Sequence, residues 1–189
     1  CAVVTNAKGR TIFSTDGRTI YNPSGTPVYS GLDGDISSTH SAIIIPHPQS
    51  PCERFFVFTV GSAENKSLNA GLHVVEVEIS NGQINVSPSR KLHNNSTEKL
   101  AATPDGDGGY WVVSHDYIDT AEATNPQGRR FYAYHITALT VLASIYAEIK
   151  ETGSVHSGAS PFGGNYWNSI GQMKFNEEGD KLALVLYEK

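Results

Sequence analysis

Four times in this chain a short apolar run ends in a turn rich in glycine, proline or asparagine and resumes as a second apolar run. The clearest copy lies between Glu98 and Tyr117, where Leu100-Ala101-Ala102 leads into Pro104-Asp105-Gly106-Asp107-Gly108-Gly109 and then into Tyr110-Trp111-Val112-Val113. Proline presets one backbone angle and glycine permits positive φ, so the segment predicts strand, tight turn, strand. The same order occurs from Cys1 to Ser14 through Asn6–Gly9, from Ala42 to Phe58 through Pro46–Pro51, and from Ile170 to Leu186 through Asn176–Gly179.

Third and fourth strands follow the first three pairs. Thr19–Tyr21 and Val28-Tyr29 complete the first unit. Leu72–Ile79, the turn Ser80-Asn81-Gly82 and a strand over Ile84–Leu92 complete the second. Phe131–Ile136 and Val141–Ile149 complete the third. A helix competes over 140–150, because Leu142, Ile145, Tyr146 and Ile149 fall at helical spacing, but position in the repeat favours a strand.

Antiparallel units in series, none able to bury both faces alone, predict an all-β chain: a β-propeller-like arc of four-stranded blades. The units lie near 1–40, 41–97, 98–167 and 168–189. About three and a half blades are expected, below the roughly four to eight of a closed ring. A β-sandwich is the alternative. Phe13, Phe56, Trp111 and Leu184 are expected at equivalent second-strand positions, buried between blades.

Composition narrows the function. With 39% hydrophobic and 10% aromatic residues, 189 residues can bury one sizeable core. A formal charge of −5 without clustered Lys or Arg argues against nucleic acid as a partner. No apolar run is long enough to cross a bilayer as a helix, so membrane insertion is not expected, and an export signal is expected outside this chain. The two cysteines, Cys1 and Cys52, lack the paired spacing of a zinc site and leave one bridge open.

Several runs together resemble the propeller-like N-terminal region of gliding-motility-associated surface proteins, which bacteria export by the type nine secretion system. They are Gly9–Asn22, Ser37–Pro46, Phe55–Thr59, Thr97–Leu100, Tyr110–Asp116, Phe131–Tyr134, Gly153–Ser157 and Gly171–Ala183, in the family's order and over nearly the whole chain. The chain departs from that pattern at His40, where the family usually has glutamine, and near Asp116, where it has glutamate. It also lacks a His-Asn pair near Thr103-Pro104 and has a longer loop over Tyr117–Arg129. The resemblance implies a non-catalytic extracellular or cell-surface module, with adhesion and protein binding as its expected work. Its partners would be other domains of the same large protein and a glycan or protein ligand.

In a four-stranded blade, one face of the ring gathers the second-to-third loops and the blade-to-blade connections. That face would collect His40, Glu98, His115, Asp116 and His156 as ligand contacts, with Trp167 as a stacking platform. A structural reading competes: Thr39, Ser41, Glu98 and His115 would tie neighbouring blades together by satisfying polar groups at buried strand ends. No catalytic residues, cofactor or metal are expected. A Ser41–His115–Asp116 triad lacks a nucleophile elbow, and adjacent His and Asp on one strand point to opposite faces. Asp105–Gly109 and Asp33-Gly34-Asp35 lack full calcium-loop spacing and read as turns. The alternative function is a glycan-acting propeller hydrolase or lyase using carboxylates such as Asp35, Glu98 and Asp116.

Overall fold

The computed structural model describes residues 1–62, 71–94, 96–116, 130–152 and 169–186. The fold is all-β: the described strands form four antiparallel sheets, none of them closed on itself. Sheet I contains β1 (Ala2–Thr5), β2 (Thr11–Thr15), β3 (Thr19–Tyr21) and β4 (Pro27–Ser30). Sheet II contains β5 (Ala42–Pro46), β6 (Arg54–Val60), β7 (Gly71–Ser80) and β8 (Gln83–Val86), with β9 (Arg90–Asn94) added to β7. Sheet III contains β10 (Ser96–Pro104), β11 (Tyr110–Asp116), β12 (Arg130–Ile136) and β13 (Ala147–Glu151). Sheet IV pairs β14 (Met173–Phe175) with β15 (Leu182–Leu184).

Apart from β9, which returns to β7 rather than pairing with β8, neighbours along the chain are neighbours in space within each sheet, as short turns between strands require. The Asn81-Gly82 turn shows the local cause. Both residues have positive φ, 52° and 76°, the geometry of the two-residue turn whose twist matches a hairpin.

The sheets stack face to face in chain order, and alternation along each strand decides which neighbour a side chain meets. Phe13 and Ile20 of sheet I bury against Phe55, Val57, Val75 and Val77 of sheet II. The Phe13 and Phe55 rings meet edge to face, with centroids 5.3 Å apart. The opposite face of sheet II carries Phe56, Phe58, Leu72 and Val74 against Leu100, Val112, Tyr134 and Ile136 of sheet III. A smaller core joins Ala101 and Val113 of sheet III to Met173 of sheet IV. Because β6 is covered on both faces, its Phe55–Phe58 stretch is continuously apolar rather than alternating. The first strands lie side by side: β1 contacts β5, β5 contacts β10, and β10 contacts β14.

Four details differ from the sequence expectation. The strand expected over Ile84–Leu92 is two strands, because Ser87-Pro88-Ser89 interrupts it: the Ser87 hydroxyl takes the Glu76 amide at 2.8 Å, and Pro88 has no amide to offer. The segment 141–149 is a strand only from Ala147. Leu142–Ser144 form a 3-10 turn closed by Ser144 N donating to Val141 O at 2.8 Å. Phe13 and Phe56 are fully buried, but Trp111 is half-buried and stacks on His135 at 4.2 Å. Leu184 packs back onto sheet III, so it does not share the forward-facing position of the other three. Cys1 and Cys52 are both exposed free thiols.

Candidate functional site

The polar groups at the starts of the first strands converge where the loop from Gly31 to Ser41 meets β10 and the chain entering sheet IV. This loop runs close to sheet II because Gly34 has no side chain: a Cβ there would lie 2.4 Å from Gly17 O and 2.9 Å from the Thr59 Cβ. The Asp35 amide then donates to Val60 O at 3.2 Å, and the Asp35 carboxylate takes the Ser37 amide at 2.9 Å and its hydroxyl at 3.0 Å. That is an Asx turn, and it delivers Thr39 and His40 to β10.

Glu98 is the hub. Its side chain is buried, and one carboxylate oxygen accepts the Thr39 amide at 2.8 Å and the Thr39 hydroxyl at 2.9 Å, while the other accepts the Ser62 hydroxyl at 3.3 Å. Its main-chain carbonyl accepts the His40 amide at 3.2 Å. The Thr39 hydroxyl oxygen accepts in turn from the Gly171 amide at 3.2 Å. A charged acceptor satisfied by several donors is the arrangement in which a buried carboxylate is tolerated.

Lys99, next in the strand, points to the other face. It is fully buried, and its ammonium donates to Ile170 O at 3.0 Å. Burial pushes its pKa down to about 8, against the opposing pull of Glu98. Glu98 therefore reaches back to the loop before sheet II, and Lys99 reaches forward to the chain entering sheet IV. One dipeptide clasps both connections.

Of the residues singled out from the sequence, His40 and Glu98 come together here. The His40 ring is half-buried, its Nδ1 accepts the Leu100 amide at 3.4 Å, and desolvation lowers its pKa. His115 and Asp116 are buried on opposite faces of β11, as alternation requires. The His115 ring lies tilted against Phe131 at 4.7 Å on the side of sheet IV, and Asp116 stands opposite Ser96 in the register. His156 and Trp167, like the loop over Tyr117–Arg129, lie outside the described residues. Asp105 acts as a turn residue. One carboxylate oxygen takes the Asp107 and Gly109 amides at 2.8 and 2.7 Å, and the other meets His135 Nε2 at 2.7 Å. The bond to His135 is the main reason its pKa is lowered.

Sequence reasoning passed over Lys99 and the histidines His93 and His47. His93 stacks flat on Tyr132 at 4.0 Å. Its Nδ1 is 2.7 Å from Asn94 O and must carry the proton, so its Nε2, 2.7 Å from the Ser114 oxygen, accepts that hydroxyl in the neutral ring. Burial holds its pKa down at about 4. His47 bridges sheets II and III: its Nδ1 accepts the Gln49 amide at 3.2 Å, and its Nε2 donates to Thr140 O at 3.0 Å. A signal did exist for Lys99, a charge two residues before Ala101 and so on the same face, but its partner lies 71 residues away.

No family model, curated protein or solved structure matches this chain. Chemically, the arrangement around Glu98 is a set of satisfied inter-sheet ties.

Proposed function

We propose that this chain is a propeller-like arc of blades serving as a non-catalytic binding or architectural module of a secreted bacterial cell-surface protein. The stacking of meander sheets in chain order, with their first strands side by side, supports the arc. One observation carries the non-catalytic reading. The Asp35 and Glu98 carboxylates are each engaged by turn and strand-end donors, which suits a fixed scaffold better than proton transfer to a substrate.

The similarity to gliding-motility-associated surface proteins supplies the expected setting: export by the type nine system, an extracellular or surface location, and work in adhesion. Partners are other domains of the same large protein and a glycan or protein ligand met by the loop face.

Protease shaving of intact source cells, followed by mass spectrometry, tests the location. Peptides of this chain should be released from intact cells and lost when the secretion system is deleted. Release only after lysis would sink the reading.

A further inference from the structure

Strands at the outer rim of a sheet leave backbone groups unpaired, and natural sheets blunt such edges with proline or charge. Here β4 opens on Pro27, β9 carries Arg90 and Lys91, and β13 carries Glu148, Lys150 and Glu151. The fourth outer strand, β8, reads Gln83-Ile84-Asn85-Val86 and carries neither device.

Register fixes which of its groups are free. The two-residue turn closes on Ser80 and Gln83, so Gln83 and Asn85 bond back to β7, while Ile84 and Val86 present their N–H and C=O to the open edge.

The two sides of that edge differ. On the side of sheet I lies a cavity of about 540 Å³, whose apolar lining includes Ile12, Pro23, Val28, Ile79 and Ile84. That volume is in the range of ligand pockets and large enough for several apolar side chains. On the opposite side a second cleft is lined by Glu76, Glu78 and Arg54. Arg54 is engaged with Glu76, its Nε donating at 2.7 Å, which leaves this side net acidic with Glu78 exposed.

We propose that the free edge of β8 takes up an extended polypeptide strand in which apolar and basic residues alternate. Successive side chains of a strand point to opposite faces, so such a segment sets its apolar residues into the cavity beside Ile84 and its basic residues towards the acidic side that Glu78 leaves uncompensated. Main-chain bonds to Ile84 and Val86 set the register. A carbohydrate is disfavoured, since the cavity lining contains no aromatic ring on which a sugar could stack.

The test adds a fluorescein-labelled eight-residue peptide of alternating valine and lysine to the full chain, read by anisotropy and by amide exchange. Saturable binding is expected, with exchange at Ile84 and Val86 slowed at least about tenfold. A peptide with the same side chains but every amide N-methylated should bind at least about tenfold more weakly, since it keeps the charge and loses the ladder. Val86→Pro removes one outward N–H without touching a bond to β7 and should weaken the parent peptide by a similar factor. Equal binding of the N-methylated peptide would reduce the effect to charge attraction and overturn the proposal. No binding at millimolar peptide would do the same. Concentration-dependent protection of Ile84 and Val86 without peptide would mean that the occupant is a second copy of this chain, which also overturns it.

Discussion

Glu98 receives the Thr39 amide, the Thr39 hydroxyl and the Ser62 hydroxyl, so truncating it removes the acceptor from all three at once. Glu98→Ala is expected to cost about 3 kcal/mol, and Glu98→Gln, which keeps one acceptor oxygen, about 1 kcal/mol, read from urea midpoints. Equal small losses would mean that the clasp does not hold the sheets. The desolvated histidines make a second prediction. His40, His73 and His93 are all held below the ordinary 6.5, each chiefly by burial, and His93 falls to about 4. A depressed histidine binds its proton less readily in the folded chain than in the unfolded one. The stability these three histidines leave intact is therefore complete above pH 6.5 and is lost as pH falls from there towards 4. The His93 contribution alone approaches about 3 kcal/mol at the acid end. Chemical denaturation at a series of pH values checks this. His93→Gln should flatten the slope between pH 6.5 and 4, and an unchanged slope would refute the assignment.

At the scale of the strand, burial rather than residue type sets the cost of truncation. Phe56 is fully buried in the core between sheets II and III, whereas Trp111 is half-buried and covers His135. Phe56→Ala should cost about 3–5 kcal/mol, and Trp111→Ala under about 2 kcal/mol. The reverse order would mean that the sheets pack with their faces exchanged. Close approach between elements is just as demanding. Gly34→Ala would drive a methyl group into the Gly17 carbonyl and the Thr59 side chain, so a loss of at least about 1–3 kcal/mol is expected in thermal melts.

Across the whole molecule the sheets are unequally supported. Sheets II and III each bury two faces, while sheet IV has two described strands and joins sheet III through a core of Ala101, Val113 and Met173. Local opening should follow that inequality: amides of β6, β7 and β11 are expected to exchange at the global unfolding rate, and those of β14 and β15 much faster. Uniform protection across all four sheets would contradict it. The outer sides of the stack carry Val3 and Val185, 60% and 61% exposed. In the proposed arc, these are the faces that further blades would cover.

The all-β class, the antiparallel pairing and the position of most turns were legible in the sequence, because they depend on neighbours in the chain. Glycine at positive φ in Gly82 and Gly106, proline at turn entries and alternation in β7 act over a few residues. Which sheet each strand face meets was not legible, since alternation gives two faces without naming their neighbours. Trp111 reads like Phe56 in the repeat, yet it is half-buried where Phe56 is fully buried, and the sheet on its side has two strands among the described residues. The same holds for the candidate site. His40 and Glu98 could be placed on one face from the repeat, but Thr39 reaches Glu98 across 59 residues and Lys99 reaches Ile170 across 71. Bonds between such distant groups exist only once the sheets have stacked: the sequence offered Thr39 and Glu98 as a tie between blades beside a ligand-contact reading, and tertiary structure decided that they do bond and that Lys99 reaches Ile170.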